Sequence, residues 1–348
     1  MSRAVAPIAV VLPDLFDAGG GIARISRALV KAICEWAFAN GAEVEVHVLR
    51  DSGARRDVRY LPEPARYRGY AGDRTRLAAA VIGAAWRGRR VVFGHVNLAA
   101  LALAFPPTCD VVVVAHGIEV WSRLRLERRL ALRRARVWAV SRFTADLMIA
   151  AQGLRAERVQ VIPNALDPLW PLPASPRPGG KHLLAVARLD PSDAYKGIDL
   201  TLAALARLAD PPPLVVVGDG ADRARLEALA QTPVTFTGAV DDATLQRLYA
   251  DASAFVLPST GEGFGLVYLE AMAHALPVIG ARAGGTPEVV AEGVTGVLIA
   301  PGDRDALAHA ITTIDPAMGQ AGRARAERDF LYPRYAADIA RALTARGA

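Results

Sequence analysis

The chain has 348 residues, of which 52% are apolar and 22% charged, and this composition excludes a disordered protein. Its length predicts two domains, because a single hydrophobic core stops growing at roughly 250–300 residues. Residues 1–170 hold 25 Lys and Arg against 15 Asp and Glu, a net charge of +10, whereas the remainder holds 16 against 20, a net charge of −4, so the first half favours an anionic partner.

The first half alternates predicted strands and helices. A strand at “PIAVVLP” is followed by an amphipathic helix, “GIARISRALVKAICEWAFAN”, that ends at Gly41. Further strands are predicted at “EVEVHVLR”, “RVVFGHV”, “CDVVVVAHG” and “RVWAVS”. Such continuous apolar runs are typical of parallel strands buried on both faces, so we expect a doubly wound sheet over residues 1–167.

A basic segment lies inside this half. “SRLRLERRLALRRARVW” interleaves arginines with leucines from Arg123 to Arg136, and we predict a helix of four turns. Such a helix can lie on an anionic membrane surface, but it can equally bury one face in the core and leave a solvated basic face. We do not expect nucleic acid as a partner, because no helix-turn-helix, zinc or aromatic-plus-basic motif accompanies the charge.

A proline- and glycine-rich stretch, “PLWPLPASPRPGG”, predicts a linker over residues 168–180. The strand–helix pattern restarts after it at “HLLAVARL”, “PLVVVGDG”, “VTFTG” and “AFVLPS”, which predicts a second doubly wound domain over residues 181–348. From Gly319 we predict a helix, a break at Pro333 and a last helix that is free to pack back on the first domain.

The sequence has no sign of an integral or secreted protein. No apolar run approaches the roughly 20 residues that a membrane-spanning helix needs, and the N-terminal apolar run is too short for a signal peptide. Cys34 and Cys109 have no metal-ligand spacing. We therefore expect a cytoplasmic protein, with peripheral binding to the inner face of the cytoplasmic membrane as the alternative.

Three loops have features of a phosphate site. Gly20 and Gly21 open the first helix, where backbone N–H groups face an anion, although a plain tight turn explains them equally and the spacing is not that of a dinucleotide fingerprint. Arg188 and Lys196 flank one loop and can neutralise a diphosphate, unless they are merely solvated. The third loop begins a helix and contains Gly263, Phe264, Gly265 and Leu266.

Two glutamates flank this third loop. Glu262 would repel a phosphate, so we expect it to face a neutral group rich in hydroxyls. Glu270 lies two helical turns further on and can accept hydrogen bonds from a ribose diol. A diphosphate between two polyols is a nucleotide sugar.

The same stretch carries a family resemblance. “EGFGLVYLE”, with “LPS” before it and “EAMAHALPVIGARAGGTPEVV” after it, resembles the E-x7-E signature of the family 4 glycosyltransferases. “VARL”, “YKG”, “VGDG”, “FTGAVDDATL” and “NALD” resemble further motifs of that family, and “HGIEVW” is similar to bacterial exopolysaccharide mannosyltransferases. The resemblance implies the GT-B architecture, in which two Rossmann-like domains face each other across a cleft.

The resemblance also implies roles for individual residues. Glu262 matches the glutamate that contacts the donor sugar and Glu270 the one that binds the ribose. Arg188 and Lys196 match the diphosphate-binding pair, on a loop that is longer here than in many members. His116 matches a histidine near the primary hydroxyl of the sugar, and Gly20 or Gly21 matches the glycine under the diphosphate. Val240 lies where the backbone usually contacts the base. The loop amides of the family correspond to Phe264, Gly265 and Leu266. A core histidine is the alternative for His116.

The implied reaction is retaining, metal-independent hexosyl transfer without a cofactor, from GDP-mannose or a UDP-hexose to a lipid-linked or glycan acceptor in polysaccharide or glycolipid biosynthesis. Positive groups stabilise the charge that grows on the leaving diphosphate. No residue stands out as a carboxylate nucleophile, and the resemblance implies a front-face displacement instead. A sugar-nucleotide epimerase or phosphorylase and a non-catalytic binding protein are the alternatives.

Overall fold

The computed structural model describes residues 5–173 and 180–345. The chain forms two compact units: the first ends at Leu169 and resumes at Leu331, and the second is Trp170–Phe330. The predicted linker at 168–180 therefore begins at this division, but its residues 174–179 lie outside the described residues.

The first unit is built on a parallel sheet. Its strands are β1 (Ile8–Leu12), β2 (Val44–Val48), β3 (Arg66–Gly69), β4 (Arg90–Phe93), β5 (Val111–Ala115), β6 (Arg136–Ala139) and β7 (Val159–Val161). They are arranged in the order β3-β2-β1-β4-β5-β6-β7, and each neighbouring pair is parallel. Every residue of β1 and β5 is buried, as expected for central strands covered on both faces.

Helices connect these strands. They are α1 (Gly21–Ala39), α2 (Arg74–Trp86), α3 (Ile118–Trp121), α4 (Leu126–Arg134) and α5 (Arg142–Gln152), with 3-10 turns at Val96–Ala104 and Ala156–Arg158. The longest, α1, buries one apolar face that includes Ile25, Leu29 and Ile33, because residues three and four apart share a helix face.

The second unit repeats the plan. Its strands are β8 (His182–Val186), β9 (Leu214–Val217), β10 (Val234–Gly238), β11 (Ala252–Leu257), β12 (Val278–Ala281) and β13 (Gly296–Ile299), all parallel in the order β10-β9-β8-β11-β12-β13. Its helices are α6 (Ile198–Leu205), α7 (Arg223–Leu229), α8 (Asp242–Asp251), α9 (Leu266–Ala273), α10 (Thr286–Val289), α11 (Arg304–Thr313) and α12 (Ala317–Asp329), with a 3-10 turn at Pro191–Lys196. In both sheets the order reverses beside the first strand, which is where α/β proteins bind ligands.

The final helix, α13 (Tyr332–Thr344), belongs to the first unit and packs on α1. The Tyr332 hydroxyl donates a hydrogen bond of 2.6 Å to Glu35, and the Trp36 indole donates one of 3.2 Å to Thr344. The predicted break at Pro333 is wrong: the break falls at Phe330 and Leu331, and Pro333 lies in the first turn of α13, where a missing N–H does no harm.

The prediction of two parallel α/β sheets is confirmed, and each stretch read as a strand contains one. The predicted four-turn helix from Arg123 to Arg136 is wrong. The helical part is only α4, residues Ser122–Arg125 are not helical, and Arg136 begins β6. In the described part of the chain, no helix combines the length and the apolarity that crossing a membrane requires.

Candidate active site

Glu262 lies in a tight loop between β11 and α9 in the second unit. Its side chain is buried, and its backbone carbonyl accepts a hydrogen bond of 2.7 Å from the Gly285 N–H. A Cβ atom at Gly284 would lie 2.3 Å from the Glu262 carbonyl oxygen, and one at Gly285 would lie 2.3 Å from the Gly263 carbonyl oxygen. Two glycines are therefore needed for the two loops to pack this closely.

Gly265 begins α9 and has a φ of 97°, a left-handed value that favours glycine. A Cβ atom there would also lie 2.4 Å from the Tyr268 ring. No described side chain caps this helix, and its first turn contains no acidic residue. The positive end of the helix dipole is thus presented by the loop that holds Phe264, Gly265 and Leu266, as an anion site requires.

Lys196 and Glu262 form an ion pair in which Nζ lies 2.6 Å from Oε1. Lys196 ends the 3-10 turn that follows β8, so the turn and the Glu262 loop meet at this pair. Arg188, at the beginning of the same connection, donates through Nε to the carboxylate of Asp193. The two cations predicted for a diphosphate therefore lie on one connection, and one of them contacts the glutamate predicted for the sugar.

The backbone on either side of Arg188 packs closely against the loop that follows β9. A Cβ atom at Gly218 would lie 1.8 Å from the Ala187 carbonyl oxygen, and one at Gly220 would lie 2.0 Å from the Leu189 carbonyl oxygen. Both glycines belong to “VGDG”, and their positive φ values of 132° and 157° place this loop directly against the residues that flank Arg188. The stretch thus has a structural role beside Arg188 that its spacing alone did not reveal.

Glu270 lies on α9 and is buried. The Tyr249 hydroxyl donates a hydrogen bond of 3.0 Å to its Oε2 atom, and the His274 ring bonds its backbone oxygen at 2.9 Å. The rings of Tyr249 and His274 stack with centroids 5.2 Å apart. A predicted ribose-binding glutamate is therefore held by an aromatic cluster. Val240 is half-buried in the loop between β10 and α8, as a backbone contact to a base would require.

The other predicted residues lie in the first unit. Gly20 precedes α1 with a φ of 93°, and no described side chain caps this helix. Gly20 and Gly21 are both exposed. The His116 ring, after β5, donates from Nε2 to the Gly94 carbonyl oxygen at 2.7 Å. Because a carbonyl only accepts, His116 carries its proton on Nε2 and its Nδ1 atom is a hydrogen-bond acceptor.

A second histidine accompanies His116. The rings of His95 and His116 lie 5.6 Å apart, and His95 Nδ1 accepts a hydrogen bond of 3.1 Å from the Asn97 N–H. Burial, together with the nearby His116, lowers the pKa of His95 to about 4. Hence His95 is neutral near pH 7 and presents an uncharged surface beside His116.

Several of these groups were not singled out from the sequence: Asp193, Tyr195, Tyr249 and His95. Their spacing carries no recognisable signal, because each acts on a residue that is brought near by the fold. In the sequence, the loop between Arg188 and Lys196 was distinguished only by its length, which indicated none of these residues. Among the described residues, no group of His, Cys, Asp and Glu side chains is arranged to hold a metal ion.

Two family models match the chain. Residues 19–169 match the model described as Glycosyltransferase Family 4, and residues 180–314 match the model described as Glycosyl transferases group 1. The GDP-mannose-dependent alpha-(1-6)-phosphatidylinositol monomannoside mannosyltransferase of Mycolicibacterium smegmatis is 32% identical over 272 residues, which cover 68% of this chain and 70% of the relative.

A second relative aligns over a smaller part of both chains. The glycogen synthase of Mycobacterium tuberculosis is 40% identical over 186 residues, which are 50% of this chain and 44% of the relative, so the chain spans less than half of that protein. Among solved structures, Anabaena HepE in complex with UDP and glucose aligns with a TM-score of 0.77 and 23% identity over 98% of this chain and 100% of HepE. This likeness confirms the predicted GT-B fold.

Proposed function

Because the chain belongs to glycosyltransferase family 4, as its motifs predicted, we propose that it is a retaining hexosyltransferase. It transfers a hexose from a nucleoside diphosphate sugar to a lipid-linked or oligosaccharide acceptor. The observation that carries this proposal is the ion pair of Lys196 and Glu262, with 2.6 Å between Nζ and Oε1, in which Lys196 lies on the same connection as Arg188. Cations for a diphosphate beside a carboxylate for sugar hydroxyls match the two parts of a nucleotide sugar.

The proposed chemistry follows from charge. Breaking the bond between the sugar and the diphosphate adds negative charge to the leaving phosphate, so positive groups there stabilise the transition state more than the ground state. Arg188 offers a guanidinium whose side chain is 71% exposed, and Lys196 offers a mobile ammonium. The N-terminus of α9 adds its partial positive charge. In this proposal these groups supply the positive charge without a metal.

Retention can arise by a covalent intermediate on a carboxylate or by displacement on one face of the sugar. We propose the second route, because the carboxylate assigned to the sugar, Glu262, is engaged by Lys196. The bond from the anomeric carbon to the phosphate oxygen breaks, the acceptor oxygen bonds to the same face, and the leaving phosphate oxygen takes the acceptor's proton. His116 accepts a hydrogen bond from the sugar through Nδ1.

GDP-mannose is our first choice of donor, since the Mycolicibacterium smegmatis relative is named for it and “HGIEVW” resembles mannosyltransferases. A UDP-hexose is the alternative, because HepE was solved with UDP and glucose. Thermal unfolding with GDP, UDP and ADP tests the choice: a ligand that binds only the folded chain raises the midpoint according to its affinity. If none of the three raises the midpoint, the proposed donor site is wrong.

A lipid-linked acceptor would require the enzyme to reach a membrane, as in glycolipid or exopolysaccharide biosynthesis. The first unit carries exposed Leu126 and Leu130 on α4, together with the exposed Arg123, Arg125 and Arg133. Apolar and basic side chains together bind acidic lipid surfaces. We therefore propose peripheral docking on the inner face of the cytoplasmic membrane, with an ordinary solvated helix as the alternative.

A transfer assay distinguishes a glycosyltransferase from the alternative functions, a nucleotide-sugar binding protein and an epimerase. Purified protein is mixed with radiolabelled GDP-mannose or UDP-glucose and a membrane extract. Label in the lipid fraction supports a glycosyltransferase. Label that is bound without turnover supports a nucleotide-sugar binding protein, and a changed sugar still linked to the nucleotide supports an epimerase.

A further inference from the structure

The long loop between Arg188 and Lys196 contains a buried carboxylate. Residues Pro191–Lys196 form a 3-10 turn that starts where Asp190 accepts hydrogen bonds from the Ser192 N–H and hydroxyl. This turn carries Asp193, which is only 5% exposed. A carboxylate so buried needs a cationic or hydrogen-bonding partner, and its Oδ2 atom accepts from Arg188 Nε.

The edge of the guanidinium that Asp193 uses is informative. A guanidinium has five N–H groups in one plane, and Nε is the one nearest the chain. Asp193 holds Nε, whereas the two terminal nitrogens lie at the outer end of the Arg188 side chain, which is largely exposed. These two nitrogens form the fork that binds two phosphate oxygens at once. The carboxylate thus orients Arg188 without occupying its phosphate-binding edge.

Asp193 is also linked to the loop of Glu262 through Tyr195. Burial, together with the nearby negative charge of Asp193, raises the pKa of the Tyr195 phenol. The Tyr195 carbonyl accepts from the Thr260 N–H at 2.9 Å, and a Cβ atom at Gly261 would lie 2.4 Å from the Tyr195 ring. One turn therefore sets Arg188 relative to the loop that carries Glu262.

We propose that Asp193 is a positioning residue that holds Arg188 by Nε so that its terminal nitrogens are ready for the donor diphosphate. This inference rests on the proposed function, because it takes the ligand of Arg188 to be a diphosphate. A long arginine side chain loses rotamer freedom when it binds, and a fixed side chain has less freedom to lose. The negative charge of Asp193 opposes the anionic ligand, so its benefit must come from geometry.

Geometry and charge are separated by two substitutions. Asp193→Asn keeps an oxygen that can accept from Arg188 Nε but removes the charge, whereas Asp193→Ala removes both. Calorimetric titration with GDP and with UDP measures the dissociation constant. We expect Asp193→Ala to weaken binding of the better nucleotide about tenfold and Asp193→Asn to stay within about threefold of the wild type.

A double-mutant cycle shows whether Asp193 acts through Arg188. In an Arg188→Ala background, Asp193→Ala should change the dissociation constant by less than about twofold. The matched control is Asp338→Ala, which removes another largely buried carboxylate paired with an exposed arginine, Arg341, and should leave nucleotide affinity near the wild type. Thermal unfolding checks that each variant folds, and Asp193→Ser, too short to reach Nε, replaces Asp193→Ala if that variant does not.

The outcomes are distinct. Wild-type affinity for Asp193→Ala, or an equal loss with and without Arg188, overturns the positioning role. If Arg188→Ala itself binds the nucleotide like the wild type, the diphosphate assignment is wrong and the positioning role falls with it. Weak binding by Arg188→Ala combined with normal binding by Asp193→Ala overturns only the inference about Asp193.

Discussion

The Lys196 ammonium lies 2.6 Å from Oε1 of Glu262, and both side chains are largely shielded from water. This pair joins a residue assigned to the diphosphate with a residue assigned to the sugar, which are the two sides of the bond that the proposed reaction breaks. Removing one partner of a shielded pair leaves the other charge without compensation. Substitutions at either residue must therefore be interpreted together with stability.

Glu262→Ala should lower turnover about a hundredfold or more while nucleotide affinity stays nearly intact, because Glu262 is assigned to the sugar and not to the nucleotide. Turnover of the labelled donor and titration with the free nucleotide measure the two effects. Glu292→Ala is the control, since it removes a partly exposed glutamate paired with Arg282 in the same unit. An equal loss of binding and turnover would remove the sugar-facing role.

Glu270→Ala should mainly weaken nucleotide binding, by about 1–3 kcal/mol for lost hydrogen bonds to a charged acceptor. Tyr249→Phe removes only the hydroxyl that donates to Glu270, and should weaken binding by a smaller amount, about 0.5–1.5 kcal/mol. Both are measured by titration with GDP and UDP. Unchanged affinity in Glu270→Ala would refute the ribose assignment.

Arg188→Ala should reduce turnover by about two to three orders of magnitude, as expected when one preorganised donor to a developing oxyanion is lost. The Arg188 side chain is mostly exposed, but its loss leaves the buried Asp193 carboxylate without its arginine, so thermal unfolding of the variant accompanies the rate measurement. Arg207→Ala is the matched control, because it removes another exposed arginine paired with an aspartate, Asp305, in the second unit. A near wild-type rate for Arg188→Ala would contradict the diphosphate role.

The sequence predicted the central strands but not the edges of the first sheet. The strands β1 and β5 are buried throughout and have continuous apolar sequences, whereas the edge strand β3 is “RYRG”, whose residues are exposed or half-buried. An edge strand whose residues are at most half-buried has no apolar run to mark it. Its existence depends on pairing with β2, which is a long-range property.

The structure of the Arg-rich segment, residues 123–136, also depends on long-range contacts that its local sequence pattern does not reveal. Its leucine spacing fits a long helix, but Arg134 donates to the carbonyls of Ala102, Phe105 and Pro106, and Arg136 pairs with Asp110. These partners come from other parts of the chain, so a local pattern cannot indicate them. At the site, the residues of the E-x7-E motif were identified from their order, whereas Asp193 and Tyr249 act through tertiary contacts.

His95 should make stability depend on pH. Its folded pKa of about 4 lies below the ordinary value of 6.5, so the unfolded chain binds the proton first and stability falls as the pH drops from about 6.5 toward 4. The charged or titratable groups that act on it are His116, Glu119, Arg128 and Arg50. Between pH 8 and pH 5, protonation of His95 should lower the free energy of unfolding by about 2 kcal/mol.

The measurement compares urea unfolding at pH 8 and pH 5 for the wild type and for His95→Gln, which cannot titrate. The variant should lose less stability at pH 5 than the wild type does. His309→Gln, at an exposed position, serves as the control and should follow the wild type. If His95→Gln shows the full acid destabilisation of the wild type, His95 does not cause it.

The last prediction concerns membrane docking by the exposed arginines Arg123, Arg125 and Arg133. Each basic residue near an acidic surface adds about 1 kcal/mol of attraction, and salt weakens that attraction by screening. Reversing all three to Glu should therefore release the protein from phosphatidylserine vesicles at low salt. It should also slow transfer to a lipid-linked acceptor far more than transfer to a short soluble analogue, because the donor residues of the second unit are unchanged.

Co-sedimentation with these vesicles at low and high salt measures docking. The control reverses three exposed arginines on other elements of the first unit, Arg55, Arg74 and Arg76, and thus makes the same change in net charge. If both triple variants lose binding equally, the attraction comes from total charge and not from the α4 region. If the wild type does not sediment with the vesicles at low salt, the segment is an ordinary solvated helix.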